Sequence, residues 1–256
     1  MLSDTLYADV GELLAQRLGF DLRKLGREFL SMAFDRARLE SGIADESAWW
    51  REVHAGGQCW QQLVDQAVVT ETWMFRDPAV HAYLASGASE MLRRVHPRPL
   101  RILSVPCSTG EEPYSVAMTL LDAGLSAEDF LIDAVDVSPR AVAKARSGHL
   151  GKHAFRGSAP VASRHVCVTE GRAGGVVSPR VRERVRFGVG NLVQGEGFDF
   201  TGEFDLVLCR NLLMYLLPSA QVIAVRRLVG ALSEHGLLIL GHAESGIAIK
   251  IGRAHV

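Results

Sequence analysis

The sequence contains the stretch Ser104-Val-Pro-Cys-Ser-Thr-Gly-Glu-Glu-Pro-Tyr-Ser115, which joins an apolar segment to a segment with helical spacing. Leu100 to Val105 is a short apolar run that predicts a buried strand, and Glu111 to Ala123 has the spacing of a helix. The alternation continues, with strands predicted at 130–135, 185–189, 204–209 and 236–240, and helices at 138–146 and 218–232. Strands that alternate with helices indicate a parallel sheet with right-handed crossovers. The sequence therefore predicts a doubly wound α/β domain over residues 100–256.

The turn after the first strand is the place to look for a ligand, because open parallel sheets bind ligands beyond the carboxyl ends of their strands. Its only glycine is Gly110, whereas a dinucleotide-binding turn has the pattern GxGxxG. It also has no GxxxxGK loop. Glu111 and Glu112 occupy the place of the phosphates and would repel a pyrophosphate. The turn thus favours a cationic, phosphate-free adenosine compound, and S-adenosylmethionine is such a molecule.

Residues 1–84 have a different pattern. Apolar residues recur at three- and four-residue spacing, as in Leu6, Val10, Leu13 and Leu14, which predicts an all-helical N-terminal domain. His96-Pro-Arg-Pro99 follows, and its prolines favour extended backbone. We therefore expect a linker at 85–99.

Residues 149–184 interrupt the alternation with glycine, arginine and short β-branched pieces. From Arg140 to Arg186 the chain has 11 lysines and arginines against 2 acidic residues. We expect an inserted loop or small antiparallel piece with a basic surface. The alternative is an ordinary solvated run of charge.

The composition of the chain argues against several classes of protein. The 256 residues carry 28 Lys plus Arg and 29 Asp plus Glu, and this balance argues against wholesale coating of nucleic acid or an anionic membrane. The four cysteines form no CxxC pair. Asp4, Asp9 and Glu12 interrupt the place of a signal sequence, and no apolar run approaches the ~18–20 residues of a membrane span. We expect a soluble, cytoplasmic protein.

Polar residues follow three further predicted strands. Asp136 ends the second strand, 24 residues after Glu112, where an acidic side chain commonly binds ribose hydroxyls; the alternative is a helix N-cap. Asn191 follows the third strand and is a candidate for the adenine edge. Cys209, Arg210, Asn211 and Tyr215 follow the next strand at the same edge of the sheet.

Four motifs together resemble the CheR family, the S-adenosylmethionine-dependent methyltransferases that esterify glutamates of chemoreceptors. The motifs are Glu71-Thr-Trp-Met-Phe-Arg76, Ser108-Thr-Gly-Glu-Glu-Pro-Tyr-Ser115, Asp136 with Ala145-Arg-Ser-Gly148, and Cys209-Arg-Asn211 followed by Tyr215. The resemblance runs from about Leu2 to Ser245. It implies a helical domain that closes over the cofactor and a Rossmann-like class I methyltransferase domain with a small antiparallel β insertion.

The resemblance also implies roles for individual residues. Thr72 and Arg76 reach the methionine end of the cofactor, and Glu112, with or without Glu111, meets its amino group. Asp136 binds the ribose, and Asn191 with Leu192 binds the adenine. Arg210 and Asn211 complete the pocket, and Tyr215 lies near the transferred methyl group. Arg76 and Tyr215 are the residues predicted to take part in catalysis. The alternative for Arg76 is a domain-bridging salt bridge with Asp77 or a glutamate.

The sequence departs from the family pattern at two places. Thr70 stands where many members have asparagine or proline, and it is kept as a candidate cofactor contact. After Gly241-His-Ala-Glu-Ser245 the family continues to a final antiparallel strand, which the ending Gly246 to Val256 does not predict. We interpret that ending as a truncation or as appended residues.

The implied reaction is methyl transfer to a glutamate carboxylate, which is ionised at neutral pH and needs no general base. The implied partner is the cytoplasmic helical domain of a methyl-accepting chemoreceptor. A helix from Asp21 to Glu40 offers basic residues for acidic helices, and the insertion offers an edge for a receptor tail.

The alternative functions are an RNA methyltransferase and a non-catalytic S-adenosylmethionine-sensing regulator. His149 and His153 lie in a loop with no carboxylate partner, so no metal site is predicted.

Overall fold

A computed structural model of the chain describes residues 4–156, 164–168 and 174–247. The helices are α1 Asp4–Leu18, α2 Leu22–Leu25, α3 Arg27–Ser41, α4 Glu46–Ala55, α5 Gly57–Ala67, α6 Pro78–Val95, α7 Glu111–Asp122, α8 Pro139–Ser147, α9 Pro179–Arg182 and α10 Pro218–Ala231. The strands are β1 Leu100–Ser104, β2 Phe130–Asp136, β3 His149–Gly151, β4 Val166–Val168, β5 Gly174–Val177, β6 Val185–Val189, β7 Phe204–Cys209 and β8 Leu232–Leu240. Among the helices described, none has the length and apolar character to cross a membrane.

The central sheet has the strand order β6-β2-β1-β7-β8, and every neighbouring pair is parallel. Helices α7, α8 and α10 lie in the connections between these strands, which confirms the doubly wound α/β fold. All parallel strands point the same way, so the residues that follow β1, β2, β6 and β7 meet at one edge. The predicted ligand site lies at that edge.

The last strand begins earlier than predicted. We expected a helix to 232 and a strand from 236, but β8 starts at Leu232, directly after α10. Its pairing with β7 is irregular between Phe204 and Leu206, where Gly236 lies against the Phe204 carbonyl. Ser233-Glu-His235 therefore belongs to an extended strand with a register shift.

The N-terminal segment is helical, as predicted. Its core is built around large side chains with no exposed surface, Leu14, Phe34, Trp49 and Leu63, and the rings of Phe34 and Trp49 meet edge to face at 4.6 Å. The segment predicted as a linker at 85–99 is helical up to Val95, because α6 continues across residue 84. The division into domains at that point stays a prediction.

The insertion is a small antiparallel sheet of order β3-β5-β4, as expected. Residues 157–163 and 169–173 of the insertion lie outside the described residues, as do 248–256 of the ending. Several of its arginines contact the protein itself: Arg156 pairs with Glu71 at 2.7 Å, and Arg164 lies 3.5 Å from Asp122. The insertion is therefore packed against the rest of the chain through part of its basic surface.

The helical segment lies over the carboxyl edge of the central sheet. Phe20 forms an antiparallel bridge with Leu216, and the Asp21 N–H donates to the Tyr215 carbonyl at 2.8 Å. On the other side of the edge, Asp65 of α5 accepts a 2.5 Å hydrogen bond from the Ser138 hydroxyl. These contacts place α1 and α5 directly above the residues that follow β2 and β7.

Candidate functional site

Two neighbouring cavities lie at the carboxyl edge of the sheet. The first has a volume of about 130 Å³ and is lined by residues from three segments, 69–76, 106–112 and 210–215, together with His81. The second has a volume of about 70 Å³, and its lining is mainly apolar but includes Asp136, Asn191 and Leu192. Pro106 lines both cavities, so they are adjacent, and together they are called the cleft.

The segment before α6 brings Arg76 to the first cavity. Phe75 and Asp77 have φ angles of 53° and 70°, in the left-handed region that such residues rarely adopt. The Phe75 N–H donates to the Ser115 hydroxyl at 2.9 Å, which holds this bend against α7. The Arg76 guanidinium lies over the Trp73 ring, 4.4 Å from its centroid, and donates one hydrogen bond to the Glu71 carbonyl. Its remaining N–H groups are available to an anion in the cavity.

The turn between β1 and α7 supplies Glu112. One carboxylate oxygen accepts from the Ser104 hydroxyl at 2.8 Å, and the other accepts from Arg210 at 3.0 Å. Burial raises the pKa of Glu112, and the Arg210 charge acts against that rise. A cationic ligand in the cavity would act in the same direction as Arg210, because it favours the ionised carboxylate.

Glu111 does not join Glu112 in the cavity. Its side chain is buried and accepts a 2.6 Å hydrogen bond from the Thr109 hydroxyl. Burial raises the pKa of Glu111 as well. Consecutive helical residues point about 100° apart, so one side chain of the pair faces the ligand cleft and the other packs inside. The expectation that Glu111 meets the cofactor amino group is therefore not supported by its position.

Gly110 makes this turn possible. Its φ is 96°, and a Cβ there would lie 2.9 Å from the Ala145 Cβ. Position 110 therefore needs glycine for both its backbone angle and its close approach to α8. Thr70 contacts the same turn through its backbone, because its carbonyl accepts from the Ser108 hydroxyl at 3.4 Å.

Asp136 lines the second cavity at the end of β2. Its carboxylate accepts from the Ser108 N–H at 2.7 Å and from the Ser138 N–H at 3.0 Å. The N-cap of α8 is Ser138, whose hydroxyl accepts from the Ala141 N–H, so capping does not account for Asp136. Burial raises the pKa of Asp136, and its backbone hydrogen bonds oppose that rise. Each oxygen keeps a lone pair for ligand hydroxyls.

Asn191 and Leu192 also line the second cavity, but the Asn191 amide is largely engaged within the protein. Its Oδ1 accepts from the backbone N–H groups of Val193 and Gln194, and its Nδ2 donates to the Arg17 carbonyl at 2.7 Å. One N–H is left for an adenine edge. The main role of the Asn191 side chain is thus to shape its loop and join it to α1.

Arg210 connects the walls of the first cavity. Besides Glu112, it donates to the Arg76 carbonyl and to Asp77, each at 3.2 Å. Asp77 therefore pairs with Arg210, and the alternative salt bridge between Arg76 and Asp77 is not the arrangement found. Asn211 and Tyr215 line the same cavity, and Asn211 has a φ of 61°.

His81 is a cavity residue that the sequence analysis missed. Its Nδ1 lies 2.9 Å from the Thr119 hydroxyl, and that hydroxyl donates to the Ser115 carbonyl. The Thr119 oxygen therefore accepts from His81, which assigns the proton to Nδ1. Burial and the Arg210 charge lower the pKa of His81 to about 4, although Asp77 opposes the shift. The ring is neutral at physiological pH.

The His81 ring should make the protein less stable in acid. In the unfolded chain His81 takes up a proton below about pH 6.5, whereas the buried ring stays neutral down to about pH 4. Between these values the unfolded state binds more protons, so the free energy of unfolding falls as the pH falls, by about 3 kcal/mol in total. Urea unfolding of wild type and His81→Gln, at pH 7 and pH 4.5, measures this difference. Equal pH dependence in the two proteins would contradict the assignment.

Within the described ranges, no three His, Cys, Asp or Glu side chains come together as a metal site. The cleft combines Arg76, whose guanidinium has free donors, with the Glu112 carboxylate and with a second carboxylate, Asp136, in the more apolar cavity. This set matches the charges of a zwitterionic methionine end, ribose hydroxyls and an adenine ring.

Comparisons with known proteins identify the family of this chain. The family model described as CheR methyltransferase, SAM binding domain, matches residues 70–250. The chain is 37% identical over 240 residues to the probable biofilm formation methyltransferase WspC of Pseudomonas putida, covering 93% of this chain and 56% of that protein. It is 31% identical over 252 residues to the chemotaxis protein methyltransferase of Salmonella typhimurium, covering 95% of this chain and 85% of that protein. The chain thus spans little more than half of WspC. It belongs to the CheR methyltransferase family, and the matched domain binds S-adenosylmethionine.

Proposed function

We propose that this chain transfers a methyl group from S-adenosylmethionine to glutamate side chains of a chemoreceptor-like signalling protein and forms glutamate methyl esters. The observation that carries the proposal is the charge arrangement of the cleft, where Arg76 and Glu112 line one cavity and Asp136 lines the next. The names of the relatives support the reaction class, because they include chemotaxis protein methyltransferases.

The cofactor, when bound, supplies an electrophilic methyl group on a sulfonium. Arg76 holds its carboxylate, Glu112 accepts from its ammonium group, and Asp136 accepts from its ribose hydroxyls. Leu192 and the apolar residues around it accommodate the adenine ring. Arg210 keeps Glu112 and the Arg76 segment together, so it supports both contacts.

The protein needs no general base for this reaction, because the attacking glutamate has an ordinary pKa of about 4.3 and is already ionised. The chain instead positions the two reactants. Holding them for an in-line approach can lower the activation free energy by ~7–11 kcal/mol. Tyr215 lies at the cavity wall next to Asn211 and orients the incoming carboxylate. The charges of Arg76 and Arg210 attract that carboxylate.

The helical segment offers a surface for an acidic helix. Arg23 is held by Asp21, Arg38 donates to the Ala44 carbonyl, and α3 exposes Met32 and Leu39 on its outer side. Cations and exposed apolar side chains on one helical segment suit a receptor helix rich in glutamate and glutamine. The RNA alternative gains no support from the insertion, where Arg156 and Arg164 pair with carboxylates of the protein itself.

Incubation with labelled S-adenosylmethionine and receptor-rich membranes tests the proposal. We expect label on the receptor that mild base releases as methanol, because methyl esters hydrolyse under these conditions. Arg76→Ala should lose the signal, and Arg94→Ala, an exposed arginine of α6 paired with Glu90, should retain it. Base-stable label would indicate methylation of nitrogen or nucleic acid, and no label with intact cofactor binding would indicate a sensing protein.

A further inference from the structure

Glu244 is a fully buried carboxylate in the Gly241-His-Ala-Glu244 motif that follows β8. It accepts hydrogen bonds from three backbone N–H groups, those of Asn211 at 2.8 Å, Gly241 at 3.0 Å and Met214 at 3.3 Å. Two of these donors belong to the segment 210–215, which follows the neighbouring strand β7. Glu244 thus connects the ends of two strands behind the candidate active site.

The segment held by Glu244 forms one wall of the first cavity. Arg210, Asn211, Met214 and Tyr215 all line it. Asn211 has a φ of 61°, a conformation that costs an asparagine free energy and persists only where its surroundings fix it. Its N–H donates to the Glu244 carboxylate, so the same hydrogen bond satisfies a backbone donor and stabilises the bend.

Gly241 provides the space for this carboxylate. A Cβ at position 241 would lie 2.4 Å from a Glu244 carboxylate oxygen and 3.2 Å from the Asn211 nitrogen. Any larger residue would push the carboxylate away from the bend. The motif therefore combines a residue that must be small with a residue that must accept three hydrogen bonds.

We propose that Glu244 is a positioning residue for methyl transfer, which fixes the Arg210 to Tyr215 wall without touching the reactants; this inference rests on the proposed function. A carboxylate is suited to this role because it is acceptor-only, with lone pairs for several N–H donors. Arg76 and Asp136, which are proposed to hold the cofactor, lie on other segments. Loss of Glu244 should therefore affect turnover more than cofactor affinity.

The test compares E244Q with G241A and with D205N. The glutamine replaces one acceptor oxygen with an NH2 donor that faces backbone donors, and the alanine displaces the carboxylate while keeping its charge. Asp205 is a matched control, because its carboxylate accepts from Arg98 and the Arg101 N–H at the opposite end of β7. Turnover per S-adenosylhomocysteine-binding site, measured with receptor-rich membranes, removes unfolded molecules from the comparison.

We expect both site variants to lose about 100-fold in kcat, as misplacement by about 1 Å does, while D205N retains turnover. Affinity for S-adenosylhomocysteine should fall less than kcat does, by about tenfold at most, because Arg210 of this wall supports Glu112 and the Arg76 segment while Asp136 is held by other residues. Wild-type kcat in either site variant, equal losses of kcat and affinity, or no binding-competent fraction would overturn the positioning role. An inactive wild type that still binds S-adenosylhomocysteine would instead reject the proposed function.

Discussion

Arg76→Ala is expected to weaken binding of S-adenosylhomocysteine by about 100-fold, because it removes the cation proposed to pair with the ligand carboxylate in a partly buried site. Arg210 does not compensate, since Glu112, Asp77 and the Arg76 carbonyl hold its guanidinium in place. The Trp73 ring loses its stacked guanidinium, but the bend at Phe75 keeps its hydrogen bond to Ser115. Isothermal titration calorimetry gives the affinity directly.

Arg94→Ala is the matched control for Arg76→Ala. Arg94 is another arginine of the same region, exposed on α6 and paired with Glu90 at 2.9 Å. Exposed ion pairs of this kind contribute little to stability, so we expect Arg94→Ala to have wild-type affinity and stability. Wild-type affinity in Arg76→Ala would show that this arginine does not hold the ligand.

Asp136→Ala should also weaken binding of S-adenosylhomocysteine by about 100-fold, but for a different reason. The carboxylate is buried at the end of β2, and its removal takes away the proposed acceptor for the ribose hydroxyls. It also leaves the N–H groups of Ser108 and Ser138 without their partner, so the turn that carries Glu112 loosens. A titration with adenosine alone should show most of the loss, because adenosine lacks the methionine end.

Asp133→Ala separates this effect from a general loss of stability. Asp133 lies on the same strand and pairs with Arg101 at 2.8 Å, away from both cavities. Its replacement should lower the unfolding temperature and leave ligand affinity unchanged. Equal affinities for adenosine in Asp136→Ala and wild type would remove Asp136 from the site.

The central architecture could be predicted because its signals are local. The turn from Ser104 to Ser115 contains its own strand end, glycine and helix start, and the alternation of strands and helices fixes a parallel sheet. The insertion could be recognised because it interrupts that alternation. The start of the proposed linker could not be predicted, since α6 runs to Val95 without any composition that distinguishes its two halves.

The details of the site depend on contacts between distant residues. Sequence places Glu111 and Glu112 side by side, but only the packing of α7 determines which of them faces the cleft. Glu244 reaches the Asn211 N–H over 33 residues, and His81 reaches Thr119 over 38. Neither contact has a local pattern, although the buried acidic residue after β8 could have been noticed as a polar group that requires partners.

The role of Asn191 also depends on contacts that the sequence does not show. The sequence offered an amide after a strand, which fits an adenine edge, but most of that amide holds its own loop and α1. A side chain that follows a strand therefore indicates the edge where a site lies. Its hydrogen bonds show whether it is free to bind.

A crystal structure of the protein with S-adenosylhomocysteine would show whether this cleft binds the cofactor. We expect the carboxylate end at Arg76, the amino group at Glu112, the ribose at Asp136 and the adenine in the apolar cavity beside Leu192. A compound bound outside this cleft, or one whose ribose and amino group contact neither Asp136 nor Glu112, would contradict this expectation.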